Sequence, residues 1–305
     1  GGAAAGSGSA VPGAGAGVHG GGGVPPEGRP GGFGVSGMTF ACFYLGTHQP
    51  QWLRDARFAR VPLFISHRRL TGRRRLPTAV GRWALDSGGF SELSMFGGWR
   101  TTAAEYVAAV ARYDTEVGGL DWAAPQDWMC EPVMLAKTGL TVTEHQRRTV
   151  ANYLDLTARW AEVDTAAESP FAPVVQGWSL PDYLRCADMY AAAGVDLRRA
   201  PVVGLGSVCR RQGTGEIAEI VAALAERDLL LHGFGMKAAG LRASWHLLLS
   251  ADSMAWSYAA RRSEPLPGCV GHSNCANCPR YALVWRDRVL SAADSPVQLR
   301  LGGVA

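Results

Sequence analysis

The sequence predicts an α/β fold, a (β/α)8 barrel of parallel strands with a zinc-binding subdomain near its C-terminus. Three observations carry this reading. Short apolar stretches alternate with helical ones eight times between residues 40 and 290. A polar residue or a glycine closes nearly every apolar stretch, and in a barrel those positions converge on the one mouth that carries chemistry. The glycine fingerprint of a dinucleotide-binding sheet is missing after the first stretch, which argues against an open, doubly wound alternative.

The elements follow in order. Residues 40–45 form the first strand, leading into Gly46-Thr47-His48, and 50–58 are amphipathic. Residues 61–65 are the second strand, followed by a loop crowded with Arg68, Arg69, Arg73, Arg74 and Arg75. The third, 83–85, stops at Asp86, and Ser87, Gly88 and Gly89 then offer backbone that a flat ring could approach. Residues 101–117 have helical spacing, with Tyr106, Val107, Val110 and Tyr113 on one face. A fourth strand at 121–124 runs into Pro125-Gln126-Asp127, and a long helix at 143–163 takes Thr143 as its N-cap. Strand 172–176 ends at Gln176, and a helix spans 180–193. Strand 201–203 ends in Gly204-Leu205-Gly206 before a helix at 215–227. Strand 229–231 ends in His232-Gly233-Phe234-Gly235, strand 247–251 ends at Asp252, and a final helix covers 281–290.

Composition bounds the rest. Of 305 residues, 1–37 are mostly Gly, Ala, Pro and Ser. They are too poor in large apolar side chains to offset the entropy of ordering, so a disordered leader, or translated sequence upstream of a start near Met38, is expected before a barrel domain at 38–305. Nothing resembles a signal peptide or a membrane span, so a cytoplasmic protein is expected. A net charge of +4 is mild. Arginine clusters say more: Arg73, Arg74 and Arg75, with Arg261 and Arg262, are candidate nucleic-acid contacts, because guanidinium matches phosphate geometry. Of seven cysteines, three are bunched with a histidine as Cys269-x2-His272-x2-Cys275-x2-Cys278. Three thiolates and an imidazole suit structural zinc, and four protein ligands leave no water position. The zinc-binding insertion is placed at about 265–290.

At the barrel mouth the sequence gathers Asp86, Asp127, Gln176, Gly204 to Gly206, Gly235, Met236 and Asp252. Asp127 and Gln176 could hydrogen-bond the edge of a purine-like ring, since a carboxylate accepts and an amide does both. The Gly204-Leu205-Gly206 backbone could approach that ring, and Met236 could lie on its face. Asp86 and Asp252 remain as a carboxylate pair for nucleophile and acid/base.

LDSGGF at 85–90, VVQGW at 174–178, VVGLGSV at 202–208, HGFGM at 232–236, Asp252 and the cysteine cluster occur in the order seen in tRNA-guanine transglycosylases. The resemblance covers roughly residues 40–290. FYLGTHQPQWL at 43–53 and NCANCPRYALVW at 274–285 look more like the DNA-modifying branch found in bacteria and phages. Two departures stand out: Ser91 replaces the usual Gln, and His272 lies inside the cysteine cluster. The resemblance implies a TIM barrel and a glycosyltransferase that exchanges guanine in DNA for a preQ0-like 7-deazaguanine through a covalent aspartyl–deoxyribose intermediate. It also implies a structural zinc. On this resemblance Asp252 is the nucleophile, its charge favoured by Arg261 or Arg262, and Asp86 is the acid/base. Ser87, Asp127, Gln176, Gly204, Leu205, Gly206 and Met236 are the base-binding set. DNA is the expected partner over tRNA, with modification proteins or a second copy as further partners. A queuine-type enzyme acting on tRNA, an inactive nucleic-acid-binding paralogue, and an unrelated barrel lyase or hydrolase are the alternatives.

Overall fold

Eight short parallel strands carry the architecture in a computed structural model that describes residues 42–163, 168–209, 211 and 215–294. The leader expected at 1–37 lies outside the described residues. The strands are β1 (Cys42–Thr47), β2 (Leu63–Ser66), β3 (Trp83–Asp86), β4 (Leu120–Ala123), β5 (Val174–Val175), β6 (Val203–Leu205), β7 (Leu231–Gly233) and β8 (Ser250–Ser253). They hydrogen-bond side by side in the order β4-β3-β2-β1-β8-β7-β6-β5. The two outer members meet through a parallel bridge of Ala123 with Phe171, just ahead of β5. There Ala123 N–H donates to the Pro170 carbonyl (2.8 Å) and Ala172 N–H to the Ala123 carbonyl (3.0 Å). The predicted parallel barrel is thus present, its final seam made by one bridge.

Several strands sit one to three residues further along the chain than the apolar runs predict. Strands β6, β7 and β8 take in Gly204, Leu205, His232, Gly233 and Asp252. A sequence reading stops a buried strand at its first polar or glycine residue. In a barrel the inner face near the mouth is itself polar, so strand geometry continues through those residues. Asp86 and Asp252 therefore lie within strands, each paired with one neighbour: Asp86 with Ser66 of β2 and Asp252 with Tyr44 of β1.

Side chains alternate between the two faces of each strand. Tyr44, Phe64, Ala84, Trp122, Ala172 and Val202 point inward and pack with Phe234. Trp122 Nε1 donates to the Tyr44 hydroxyl (3.1 Å), which donates to Asp121 (2.8 Å), so the polar atoms of this inner layer are satisfied. Leu45, Ile65, Leu85, Val175, Leu205 and Leu231 point outward into the cores under the helices.

The helices are α1 (His67–Leu70), α2 (Gly89–Phe96), α3 (Ala103–Val117), α4 (Pro132–Thr138), α5 (Val142–Val163), α6 (Leu180–Ala192), α7 (Gly215–Ala225), α8 (Ala238–Ser244), α9 (Ala255–Ala260) and α10 (Pro279–Asp294). The long ones match their periodic patterns. Capping boxes start α3 (Thr102, Glu105) and α6 (Ser179, Asp182). Helix α5 begins one residue earlier than expected, because Thr141 rather than Thr143 accepts from the Glu144 N–H (3.2 Å). The short helices α1, α2, α4, α8 and α9 carry too few turns for a periodic signal. Helix α10 covers β1: the Phe43 and Trp285 rings lie 6.3 Å apart. The cysteine-rich segment lies between α9 and α10. No helix among the described residues is long and apolar enough to cross a membrane.

Candidate active site

A cavity of about 270 Å³ opens at the C-terminal ends of the strands. Asp86, Asp127, Gln176, Gly206 and Asp252 all line it, together with Gly46, His48, Ser66, Phe90, Glu131, Ser207, Phe234 and Met254. Six of the expected mouth residues, Gly235 among them, are thus brought to one space.

Asp252 projects inward from β8, beside Tyr44 of β1 in register. Its Oδ1 accepts the Gly235 N–H at 2.8 Å, and His232 Nε2 lies 3.4 Å from the same oxygen. His232 is fully buried, and its Nδ1 faces the Ser250 hydroxyl at 2.9 Å. A carboxylate only accepts, so the Nε2–H tautomer points at Asp252 and Nδ1 accepts from Ser250. Neither Arg261 nor Arg262 is Asp252's contact. The Arg262 guanidinium stacks on the Tyr258 ring, 3.5 Å from its centroid.

Asp86 ends β3, in register with Ser66 of β2. Its Oδ1 accepts the Gly88 N–H at 3.1 Å. Gly88 has φ +84, and a Cβ there would press on the Arg68 side chain at 3.0 Å, so only glycine suits the turn. Burial raises the Asp86 pKa above the usual carboxylate range, and the Asp252 charge adds to this against the Gly88 and Ser66 hydrogen bonds. Phe90 stands at the lip of the same cavity, 41 % exposed.

The opposite wall is a hydrogen-bonded chain. Gln176 is fully buried; its Nε2 donates to Asp127 Oδ2 at 2.5 Å, and its Oε1 accepts from the Ser207 hydroxyl at 2.7 Å. Ser207 Oγ also lies 3.0 Å from Glu131 Oε2 and accepts the Cys130 N–H at 2.7 Å. Ser207 has φ 58, unusual for a residue with a Cβ, and its hydroxyl contacts hold it there. Burial pushes the Asp127 carboxyl up to about 7, opposed by the Gln176 hydrogen bond and reinforced by the Asp86 charge.

Four of the remaining expected base contacts lie elsewhere. Met236 packs in the outer core, its Cγ against Gly233, and Met254 lines the cavity instead. Leu205 points outward from β6 into the same core, as strand alternation requires. Gly204 points inward but below the cavity, where a Cβ would meet the Phe234 ring at 2.5 Å. Ser87 is buried and does not line the cavity. Nor do Arg73, Arg74 and Arg75, which lie exposed on the outer flank. The Arg73 and Arg74 carbonyls are held by Arg112 of α3 at 2.9 and 3.3 Å. His232, Ser207, Glu131 and Ser66 were missed. Only the alternation of inward positions along each strand could have flagged His232 and Ser66.

Cys269, His272, Cys275 and Cys278 could hold a metal ion: their ligand atoms all lie within 4.8 Å of one another. The Cys269 and Cys278 sulfurs are 3.8 Å apart, and His272 Nε2 is 3.3 Å from the Cys275 sulfur. Around a tetrahedral ion with bonds of about 2.0–2.3 Å, such ligand atoms stand roughly 3.3–3.8 Å apart. The Leu266 N–H and the Arg280 guanidinium donate to Cys275 and Cys269 sulfurs at 3.5 Å, as outer-shell donors to thiolates do. Ser257 of α9 donates to the Ala276 carbonyl (2.8 Å), and Trp256 Nε1 to the Gly46 carbonyl (2.7 Å), tying the cluster to β1.

The model of one family, described as DeoxyPurine in DNA protein A (DpdA), matches residues 40–301. The chain belongs to this family. The DpdA match takes in every strand of the barrel and the metal-ligand cluster. No curated protein matches the sequence. Among solved structures, a protein described as a fructose-1,6-biphosphate aldolase from Coccidioides immitis is similar. The two are 10 % identical, and the alignment covers 84 % of this chain and 91 % of that one with a TM-score of 0.45.

Proposed function

We propose that this DpdA protein exchanges guanine in DNA for a 7-deazaguanine base. One observation carries the reading. A carboxyl whose pKa burial raises, Asp86, and a carboxylate anchored by one oxygen, Asp252, face the same cavity, whose other wall is the Asp127–Gln176 pair. The strands that carry the two aspartates stand three steps apart around the barrel.

The chemistry divides accordingly. A target nucleotide must leave the duplex stack to reach a barrel mouth. Asp127 and Gln176 receive the base edge by exchanging their mutual hydrogen bond for contacts to it. With Oδ1 held by Gly235 and His232, Asp252 attacks C1′ through Oδ2. The C1′–N9 bond breaks as the Asp252–C1′ ester forms, and the Asp86 proton passes to the departing guanine. The incoming deazaguanine then gives its N9 proton to Asp86 and attacks C1′. The ester bond breaks, and Asp252 leaves as a carboxylate. The metal site takes structural zinc, which fastens the segment between α9 and α10 and stands apart from the reaction.

The test is a denaturing gel after incubation with guanine-containing DNA and a deazaguanine analogue, with mass spectrometry of nucleosides from DNA and tRNA of expressing cells. Asp252→Asn is expected to lose the covalent adduct, because an amide forms no glycosyl ester. Asp86→Asn is expected to retain DNA binding and lose exchange. An adduct that persists in Asp252→Asn and vanishes in Asp86→Asn would reverse the roles. Deazaguanine in tRNA and never in DNA would overturn the substrate.

A further inference from the structure

Beyond the cavity, its rim carries an exposed strip that the exchange chemistry does not use. Arg69 of α1 donates through Nε to His48 Nδ1 at 3.3 Å, and His48 lines the cavity. Next along α1, Arg68 lies 3.8 Å from the Met95 sulfur and 3.3 Å from Glu92 of α2. One residue beyond Met95 is Phe96, and the Arg100 guanidinium sits over its ring, 4.9 Å from the centroid. Met95 is 56 % exposed and Phe96 44 %, while the Glu92 carboxylate beneath them is buried. The three arginines are exposed. The strip therefore presents three guanidinium groups flanking two exposed apolar side chains, and its negative charge is withdrawn from the surface.

We infer that the strip formed by Arg69, Arg68, Met95, Phe96 and Arg100 binds the single-stranded DNA next to the extruded target nucleotide, with phosphates on the arginines and a base on Phe96. The inference rests on the DNA reading above and adds where the flanking strand runs. Two features favour an unpaired strand over a duplex. Stacking needs an open base face, which a duplex does not offer at its surface. Arginine interleaved with an aromatic ring is also the pattern that holds single strands without reading sequence. Arg261, whose charge acts on His48 together with that of Arg69, extends the cationic side of the rim toward β8.

The probe is a fluorescent oligothymidine, which carries no guanine and so reports binding apart from exchange. Phe96→Ala in the full chain is expected to weaken binding at least fivefold at every salt concentration, with the salt slope unchanged. Arg69→Ala with Arg100→Ala is expected to lower the slope of log affinity against log salt by about 1.4, about 0.7 per phosphate contact. The Arg73→Ala, Arg74→Ala, Arg75→Ala triple variant on the flank is expected to keep the slope. All these positions are exposed, and equal melting temperatures confirm folding. Unchanged binding in the strip variants, a slope lost only in the flank triple, or equal losses on a blunt duplex would each overturn the strip. If wild type shows the strip's pattern and no exchange, the base-exchange reading fails alone. If exchange proceeds and the strip variants bind normally, the strip fails alone.

Discussion

Replacing Gly206 by alanine isolates the wall that receives the base. An added Cβ would lie 2.5 Å from Gln176 Cδ and 2.7 Å from Oε1, where ordinary contacts begin at 3.4 Å. Gln176 has nowhere to retreat, because its backbone carbonyl accepts from Gln146 at 2.7 Å and its amide is held at both ends. The amide must shift by about 1 Å, enough to break its bonds to Asp127 and Ser207. Each buried group left without its partner costs about 1–3 kcal/mol, so a loss near 3 kcal/mol is expected. For a domain of this size that lowers the melting temperature by roughly 6–12 °C. The assay is thermal unfolding of wild type, Gly206→Ala, Gln176→Ala and the double variant. Removing the Gln176 amide first should make alanine at 206 nearly free, which gives strong coupling in the double-mutant cycle. Additive losses, or a Gly206→Ala variant that melts with wild type, would refute the reasoning.

Two further outcomes are expected. Freshly purified protein prepared without chelator should carry about one zinc per chain by elemental analysis. Changing Cys275 and Cys278 together to Ser should remove both the metal and the folding energy it supplies. The Asp127 carboxyl, pushed up to about 7 in the folded chain, binds a proton that the unfolded chain has already released above about pH 4. Its contribution to stability is therefore complete below about pH 4 and lost as pH rises to 7. Urea unfolding at pH 5 and pH 8 should show a smaller loss in Asp127→Asn than in wild type, and equal losses would count against the raised pKa.

The barrel was legible because eight apolar runs and the long amphipathic helices all pointed to one architecture. Asp86, Asp127, Gln176 and Asp252 were legible as cavity-lining positions because three follow an apolar run directly and Asp127 lies three residues past one, and such positions converge once the ring forms. Met236, expected at the cavity, lies outside it for a physical reason. It lies only two residues beyond Phe234, yet Gly235, at φ +58, turns the chain between them and sends the thioether into the outer core. Leu205 illustrates a second limit. A strand buried on both faces shows no polar alternation, so its outward direction could not be read. Glu131 and Ser207 come from separate loops 76 residues apart, and neither local sequence hints at the other. The arginines were counted by clustering along the chain, whereas the rim joins Arg69 and Arg100 across two helices.

The seam between β1 and β8 has a consequence for the time course of folding. Trp256 reaches back 210 residues to the Gly46 carbonyl, and Trp285 covers Phe43. During synthesis at about 5–20 residues per second, β1 must wait ten seconds or more before its neighbour emerges. Until then its β8-facing edge carries unpaired backbone groups, a surface that invites pairing with other chains. The segment that ends the wait also brings Asp252, and the four metal ligands follow within 26 residues. Ring closure, arrival of the anchored aspartate and metal capture thus fall together once residues 250–278 have emerged, so a ribosome-bound chain shorter than this carries no assembled site.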